Sequence, residues 1–176
     1  MKEATFSQAR HLLDLVEDIV VPANTTEFVA REKFVVNTKP NALVKIDFIG
    51  DNFAEWFLNG DGKIEGPREE TKLRYHKLLE SSVDGPIIQE LGGEERSETT
   101  LSEMFFLMKT QKNGEAGVLL NTGYANIFYI TDRAGMLRSV FVYWFGDGWC
   151  VYASSVLYPF RWFVGRHVFS RNSVLS

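Results

Sequence analysis

At Tyr124 the chain changes its hydrophobic period from the three-to-four spacing of a helix to the two-residue spacing of strands. Two turn signals then cut the stretch into three segments. Residues 125–131 read as a strand, Asp132-Arg133-Ala134-Gly135 as a hairpin turn, and 137–144 as the returning strand. Gly146-Asp147-Gly148 makes a second tight turn, and 149–155 a third strand. Side chains alternate across a strand. Val140, Val142 and Trp144 therefore share one face, and Ser139, Phe141, Tyr143 and Phe145 the other. Beyond the turn, Trp149, Val151, Ala153 and Ser155 lie opposite Cys150, Tyr152 and Ser154. The Val/Trp/Ala set is an ordinary core face. The opposite, aromatic set needs a separate explanation.

Upstream, Phe6, Ala9, Leu12, Leu13, Val16, Ile19 and Val20 recur at helical spacing, with Thr5 and Gln8 as a capping box and Pro22 as the stop. Val44, Ile46 and Phe48 alternate with Lys45 and Asp47, predicting a half-buried strand that ends at Gly50. Pro67, Glu69 and Glu70 suit a helix start, followed by Leu73, Leu78 and Leu79. Residues 81–86 read as a turn or linker. A further helix is predicted from Thr100, with Glu103 as capping-box partner, through Met104, Phe105 and Met108 to Lys109, Lys112, Asn113 and Gly114. Helices followed by an antiparallel sheet predict an α+β chain. It is read as one domain over 1–176, in which 1–118 is a helical or mixed scaffold and 119–176 carries the sheet and a ligand-binding region.

A length of 176 residues suffices for one real core, and a net charge of −4 argues against a general nucleic-acid binder. The lone Cys150 cannot close an internal disulfide. No apolar run is long enough for a transmembrane helix, and no secretory leader is evident, so the expected address is cytoplasmic by default and no membrane insertion is expected.

Residues 139–173 hold 11 of the chain's aromatics but no Lys, Glu or Gln. Past the strands, Pro159, Trp162, Gly165 and Val168 fall every third residue. That spacing suits an irregular anchored loop, with Trp162 as anchor, Gly165 at tight backbone, and Phe160-Arg161, Phe163-Val164 and Arg166-His167 projecting outward. Burial of both faces would also explain the composition. An exposed aromatic surface, however, is rarely tolerated unless it binds something, and Tyr, Phe and Arg are the types that anchor interfaces.

The frame Val140-Val142-Trp144, Gly148-Trp149, Val151, Ala153, Ser155-Val156, Pro159, Trp162, Gly165 and Val168-Phe169-Ser170-Arg171-Asn172 resembles the C-terminal variable region of target proteins of diversity-generating retroelements. The approach LLNTGYANIFYIT (119–131) is similar too, whereas the ending differs from the glycine-phenylalanine-arginine of better-known members. In that family an error-prone reverse transcriptase randomises template adenines, so that AAY codons become NNY codons, which exclude Lys, Glu, Gln, Met and Trp. The positions between frame residues are Ser139, Phe141, Tyr143, Phe145, Cys150, Tyr152, Ser154, Leu157, Tyr158, Phe160, Arg161, Phe163, Val164, Arg166 and His167, and all belong to the NNY set. The resemblance implies a C-type-lectin-like fold, of the kind shared with formylglycine-generating enzymes. It also implies a non-enzymatic protein whose variable slots form a ligand-binding surface. Val140, Val142, Trp144, Trp149, Val151, Ala153, Trp162 and Gly165 would be the scaffold.

Other chemistry is poorly served. Asn59, Asp61, Gly62, Ile64 and Glu65 resemble the middle of an EF-hand loop, but Phe57 and Arg68 occupy its first and twelfth ligand positions, so the segment reads as an exposed turn. His11, His76 and His167 lack metal-ligand spacing, with His11 expected to be partly buried beside a helix's apolar stripe. No phosphate, dinucleotide or nucleophile motif occurs. The expected activity is therefore binding without metal or cofactor, with a protein surface as partner. The alternative is single-stranded nucleic-acid binding through aromatic stacking and Arg161, Arg166 and Arg171.

Overall fold

The computed structural model describes residues 11–171; Thr5, Gln8, Phe6 and Ala9 of the expected first helix, and Asn172 of the frame, lie outside them. The chain is α+β. Its centre is one large sheet with the strand order β1 (Leu13–Val21), β5 (Thr71–Leu78), β10 (His167–Ser170), β7 (Asn126–Thr131), β8 (Leu137–Phe145), β9 (Gly148–Ser155) and β3 (Ile46–Ile49). Neighbours are antiparallel except β10 with β7 and β3 with β9. Two-residue β6 (Glu98–Thr99) extends the β7 edge beyond β10, pairing with Tyr129 and Ile130 while β10 takes Asn126 and Ile127. A separate ribbon joins β2 (Phe28–Val29) to β4 (Ile64–Glu65).

Helices are short. On the first face of the sheet lie α1 (Ala30–Lys33), α2 (Asp51–Phe53) running into a π-helical turn (Ala54–Leu58), and α5 (Leu101–Thr110). They enclose the larger core, in which Phe53, Phe57, Met104, Phe128, Val140, Val142, Trp149, Val151 and Phe169 are fully buried. On the second face, α3 (Asp84–Glu90) brings Ile87 and Ile88 onto Leu13, Leu78, Ile127, Tyr129, Trp162 and Val168. Short α4 (Glu94–Ser97) leads from there to β6. Among the described residues, this second core covers only part of its face.

The meander of β7, β8 and β9 follows the two-residue period, and its hairpin turn is built on Asp132, whose Oδ1 accepts from the N–H groups of Ala134 and Met136. The helix at Thr100 also forms as expected. Thr100 Oγ1 accepts from Glu103 N, and Thr100 N donates to Glu103 Oε1. Glu65, of the segment with EF-hand likeness, spends its carboxylate on Leu101 N and Ser102 N, so the first N–H groups of α5 are all satisfied.

Two expected helices are strands instead. Residues 13–21 form the edge strand β1, and the cause of the helical-looking spacing is a bulge at Val16, where the register slips between Leu15 and Glu17. Before it, Leu13 pairs with Leu78 on the second face; after it, Ile19 pairs with Leu73 and Val21 closes on the first core. One extra residue exchanges faces, so an unbroken two-residue period never shows. The helix expected from Pro67 is β5, in which buried Leu73 and Tyr75 alternate with Lys72, Arg74 and His76. Alternation in contact with two neighbouring strands overrides the local helix-start signal. The 81–86 segment contains the start of α3, and His11 is exposed just ahead of β1 and not on a helix.

Candidate functional site

The half of the second face that no described element covers is a surface of rings. Tyr152 on β9 lies between Phe141 and Tyr143 on β8, with centroids 5.5 Å from each and planes within 12° and 9° of parallel. Phe48 on β3 extends the row at 5.5 Å. In the other direction Phe141 meets the edge of Trp162 at 4.9 Å, and Phe160 meets Trp162 at 5.0 Å. Arg166 closes the series, its guanidinium 4.3 Å from the Tyr124 centroid and 5.4 Å from that of Phe163. Phe145, Tyr158 and Phe163 are each at least 60% exposed, and Leu157 is 87% exposed. Tyr143 has its phenol pKa raised, chiefly by burial and then by the hydrogen bond with Tyr152.

The loop between β9 and β10 is irregular but firmly attached. Trp162 N donates to Ser82 O at 2.8 Å, and Ser82 N returns a bond to Trp162 O at 3.1 Å. Gly165 N donates to Leu78 O and Leu78 N to Arg166 O, both at 2.8 Å. Arg161 donates to Ser81 O. Beneath the loop, Asp84 Oδ1 accepts from Trp162 Nε1 and from the Tyr129 hydroxyl, each at 2.8 Å, and from Ser139 Oγ at 3.5 Å. Asp84 is 1% exposed, and burial raises its pKa, with the three donors pulling the other way. One carboxylate thus ties together α3, β7, β8 and the loop.

Val140, Val142, Trp149, Val151, Ala153 and Trp162 are buried, Trp144 is half-buried against Gly114, and Gly165 has φ of 91°. Among the expected slots, Phe141, Tyr143, Phe145, Tyr152, Ser154, Leu157, Tyr158, Phe160, Arg161, Phe163, Val164 and Arg166 are exposed or half-exposed on the ring face or its loop. Three are placed otherwise. Ser139 is fully buried because it sits over Asp84. Cys150 is 3% exposed, being the central residue of a row in which Tyr143 and Phe48 stand on the adjoining strands, and burial raises its thiol pKa, with Asp47 adding to the effect. His167 points to the first face: it alternates with Val168, lies 5.1 Å from the Tyr75 ring, and places Nδ1 3.0 Å from Val118 O. Burial lowers its pKa more than that bond raises it.

Phe48, Tyr124, Gly50 and Asp84 belong to the site although the slot pattern omits them. Phe48 was expected on the core face beside Ile46. A bulge at Asp47 pairs Ile46 with Trp149 and Phe48 with the very next residue, Cys150, so Phe48 emerges among the rings, 48% exposed. Gly50 makes room for Tyr152, since a Cβ there would lie 2.7 Å from Tyr152 Cδ1.

Arg171 is drawn away from the ring face, donating to Glu103 Oε1 at 2.8 Å at the start of α5. Among the described residues, no group of three or more His, Cys, Asp or Glu is placed to hold a metal ion, and no helix is long and apolar enough to cross a membrane. Comparison of the chain with protein-family models, curated proteins and solved structures finds no match to any of them.

Proposed function

We propose that this chain is a binding protein that presents its ring face to a macromolecular ligand, and that the exposed ring positions are diversified by a retroelement on a fixed C-type-lectin-like scaffold. The observation that carries the reading is the series of ring contacts from Phe48 through Tyr152, Phe141 and Trp162 to Phe160, most of whose members no described element covers. Exposed aromatic surface of this continuity costs solubility and is kept where it binds a partner. Tyr and Phe offer large contact area for modest entropy loss, which favours a protein ligand. The division between buried Val, Trp and Ala and projecting NNY-type residues supports diversification, because exchange at the projecting positions leaves the core untouched. Binding to single-stranded nucleic acid has less support, since Arg171 is committed to Glu103 and the loop keeps only Arg161 and Arg166 near the rings.

Deep sequencing of the locus in a growing population tests the reading. Substitutions should concentrate at 141, 143, 145, 152, 154, 157, 158, 160, 161, 163, 164 and 166, from codons of NNY type, beside a template repeat and a reverse-transcriptase gene. A uniform spread over the chain, or a locus without such a template, overturns it.

A further inference from the structure

At the loop end of the ring face the rings part to leave a cavity of about 200 Å³, walled by Phe141, Tyr143, Phe160, Trp162, Phe163 and Arg166. Sites for drug-sized molecules run to about 300–1,000 Å³. This one therefore has room for a single side chain of a larger partner. Its wall is mostly aromatic, and Arg166 is the one charged residue in it. Between Ser139 and Ser173 the only acid is Asp147, placed in the turn between β8 and β9. The Arg166 guanidinium lies 4.3 Å from the Tyr124 centroid and 5.4 Å from that of Phe163, and its Nη1 donates to Val164 O at 3.1 Å. A guanidinium has five N–H groups, so donors remain after that bond, on a planar fork whose geometry matches a carboxylate. The Tyr124 contact and the Val164 bond also restrict rotamers that a fully exposed Arg would have to give up on binding.

We infer that this cavity takes an aromatic or branched apolar side chain of an acidic protein segment, whose carboxylate pairs with Arg166. This rests on the ring face being a binding surface. It adds a ligand chemistry: apolar group and carboxylate on the same short stretch. The apolar side chain supplies contact area within the rings, and the carboxylate supplies selectivity, because a neutral isostere leaves the Arg166 donors without a charged acceptor.

Small probes isolate the cavity from any natural partner. Phenylacetate, phenylacetamide, phenethylammonium and thymidine 5′-monophosphate are titrated into the whole chain, with two-dimensional NMR following the Trp162 indole N–H and the Arg166 Nε–H. Phenylacetate should shift both signals saturably and bind about 10-fold more tightly than phenylacetamide, the size expected of one charge-assisted pair. Phenethylammonium should bind least. Arg166→Gln should bring phenylacetate down to the amide's affinity, and Arg166→Lys, which keeps charge without the fork, should fall between. Equal affinity for acid and amide overturns the inference, as does acid selectivity that survives Arg166→Gln. Tighter binding of the nucleotide than of phenylacetate also overturns it, in favour of a nucleic-acid ligand. Failure here leaves the ring face as a binding surface of other chemistry. Failure of the codon pattern in the population removes diversification while leaving this cavity's selectivity measurable.

Discussion

Asp84 shows how much one buried residue can decide. Two donors from separate elements, Trp162 Nε1 and the Tyr129 hydroxyl, converge on its Oδ1 at 2.8 Å. Asp84→Ala strands both and should lower stability by about 2 kcal/mol or more, read as the urea midpoint. The same carboxylate carries a pH signature. Its folded pKa is raised, so in the range between the usual aspartate value of about 3.9 and that raised value the folded state holds the extra proton. Stability from this group is complete below the unfolded pKa and is lost as pH rises through the folded one. Asp132 has the opposite sign: burial would raise it, but Arg138 and the N–H groups of Met136 and Ala134 outweigh burial and lower it. Its contribution is present above the unfolded pKa and disappears as pH falls through the folded one. On acidification, wild type should therefore gain stability relative to Asp84→Asn and lose it relative to Asp132→Asn; slopes of the same sign in both comparisons contradict the assignment. Nothing in the sequence marks Asp84, because a carboxylate in a Ser/Asp/Gly/Pro stretch reads as turn chemistry. Its role exists only once Tyr129 and Trp162, 45 and 78 residues away, arrive beside it.

At the scale of elements, what was legible followed from local chemistry. The capping box at Thr100 and the Asx-type turn at Asp132 are settled within a few residues, and both form as the residues imply. The two bulges are the opposite case. Val16 and Asp47 each shift a strand by one residue, and a shift set by the neighbouring strand leaves no mark in the sequence of the shifted one. Hence β1 resembled a helix and Phe48 a core residue. The segment joining α5 to β7 is fixed by Gln111, which bonds Leu119 through both its oxygen and its nitrogen, and by the packing of Trp144 on Gly114. A Cβ at Gly114 would sit 2.4 Å from Trp144 Cδ2, and the φ there is 73°. Gly135 has a similar φ of 85° with nothing near its absent Cβ. Gly135→Ala should therefore cost only the left-handed backbone term, about 1–2 kcal/mol. Gly114→Ala should exceed it by a further 1–3 kcal/mol or so, because Trp144 must move. Equal midpoints for the two variants show that Trp144 yields freely and that the contact holds nothing in place.

Among the described residues, the sheet has one face closed by helices and the other closed only where α3 and the loop reach. That asymmetry separates the buried part of the tail from the part left at the surface. Alternation along β8 and β9 is strict, so the burial of Val140, Val142, Trp149 and Val151 and the partial exposure of Phe141, Tyr143 and Tyr152 are legible in the sequence. It could not anticipate that Ser139 lies over a buried carboxylate, that Cys150 is walled in by its row neighbours, or that His167 belongs to the other face. Tolerance to substitution should follow exposure, whatever the slot pattern. Replacing Phe145, Leu157, Tyr158, Phe163 and Val164 together by Ser should cost no more than about 0.5 kcal/mol per position in unfolding free energy, the range of isolated surface changes. Ser139→Tyr or Cys150→Tyr alone, a single change at a buried slot, should cost about 2–3 kcal/mol or more through overpacking. If the fivefold variant unfolds while either single tyrosine is accepted, the ring face is part of the core and cannot be a free surface. If the ranking holds, residues 139 and 150 should stay small in any diversified population, and the diversity that reaches a ligand is confined to the positions exposed on the ring face and its loop.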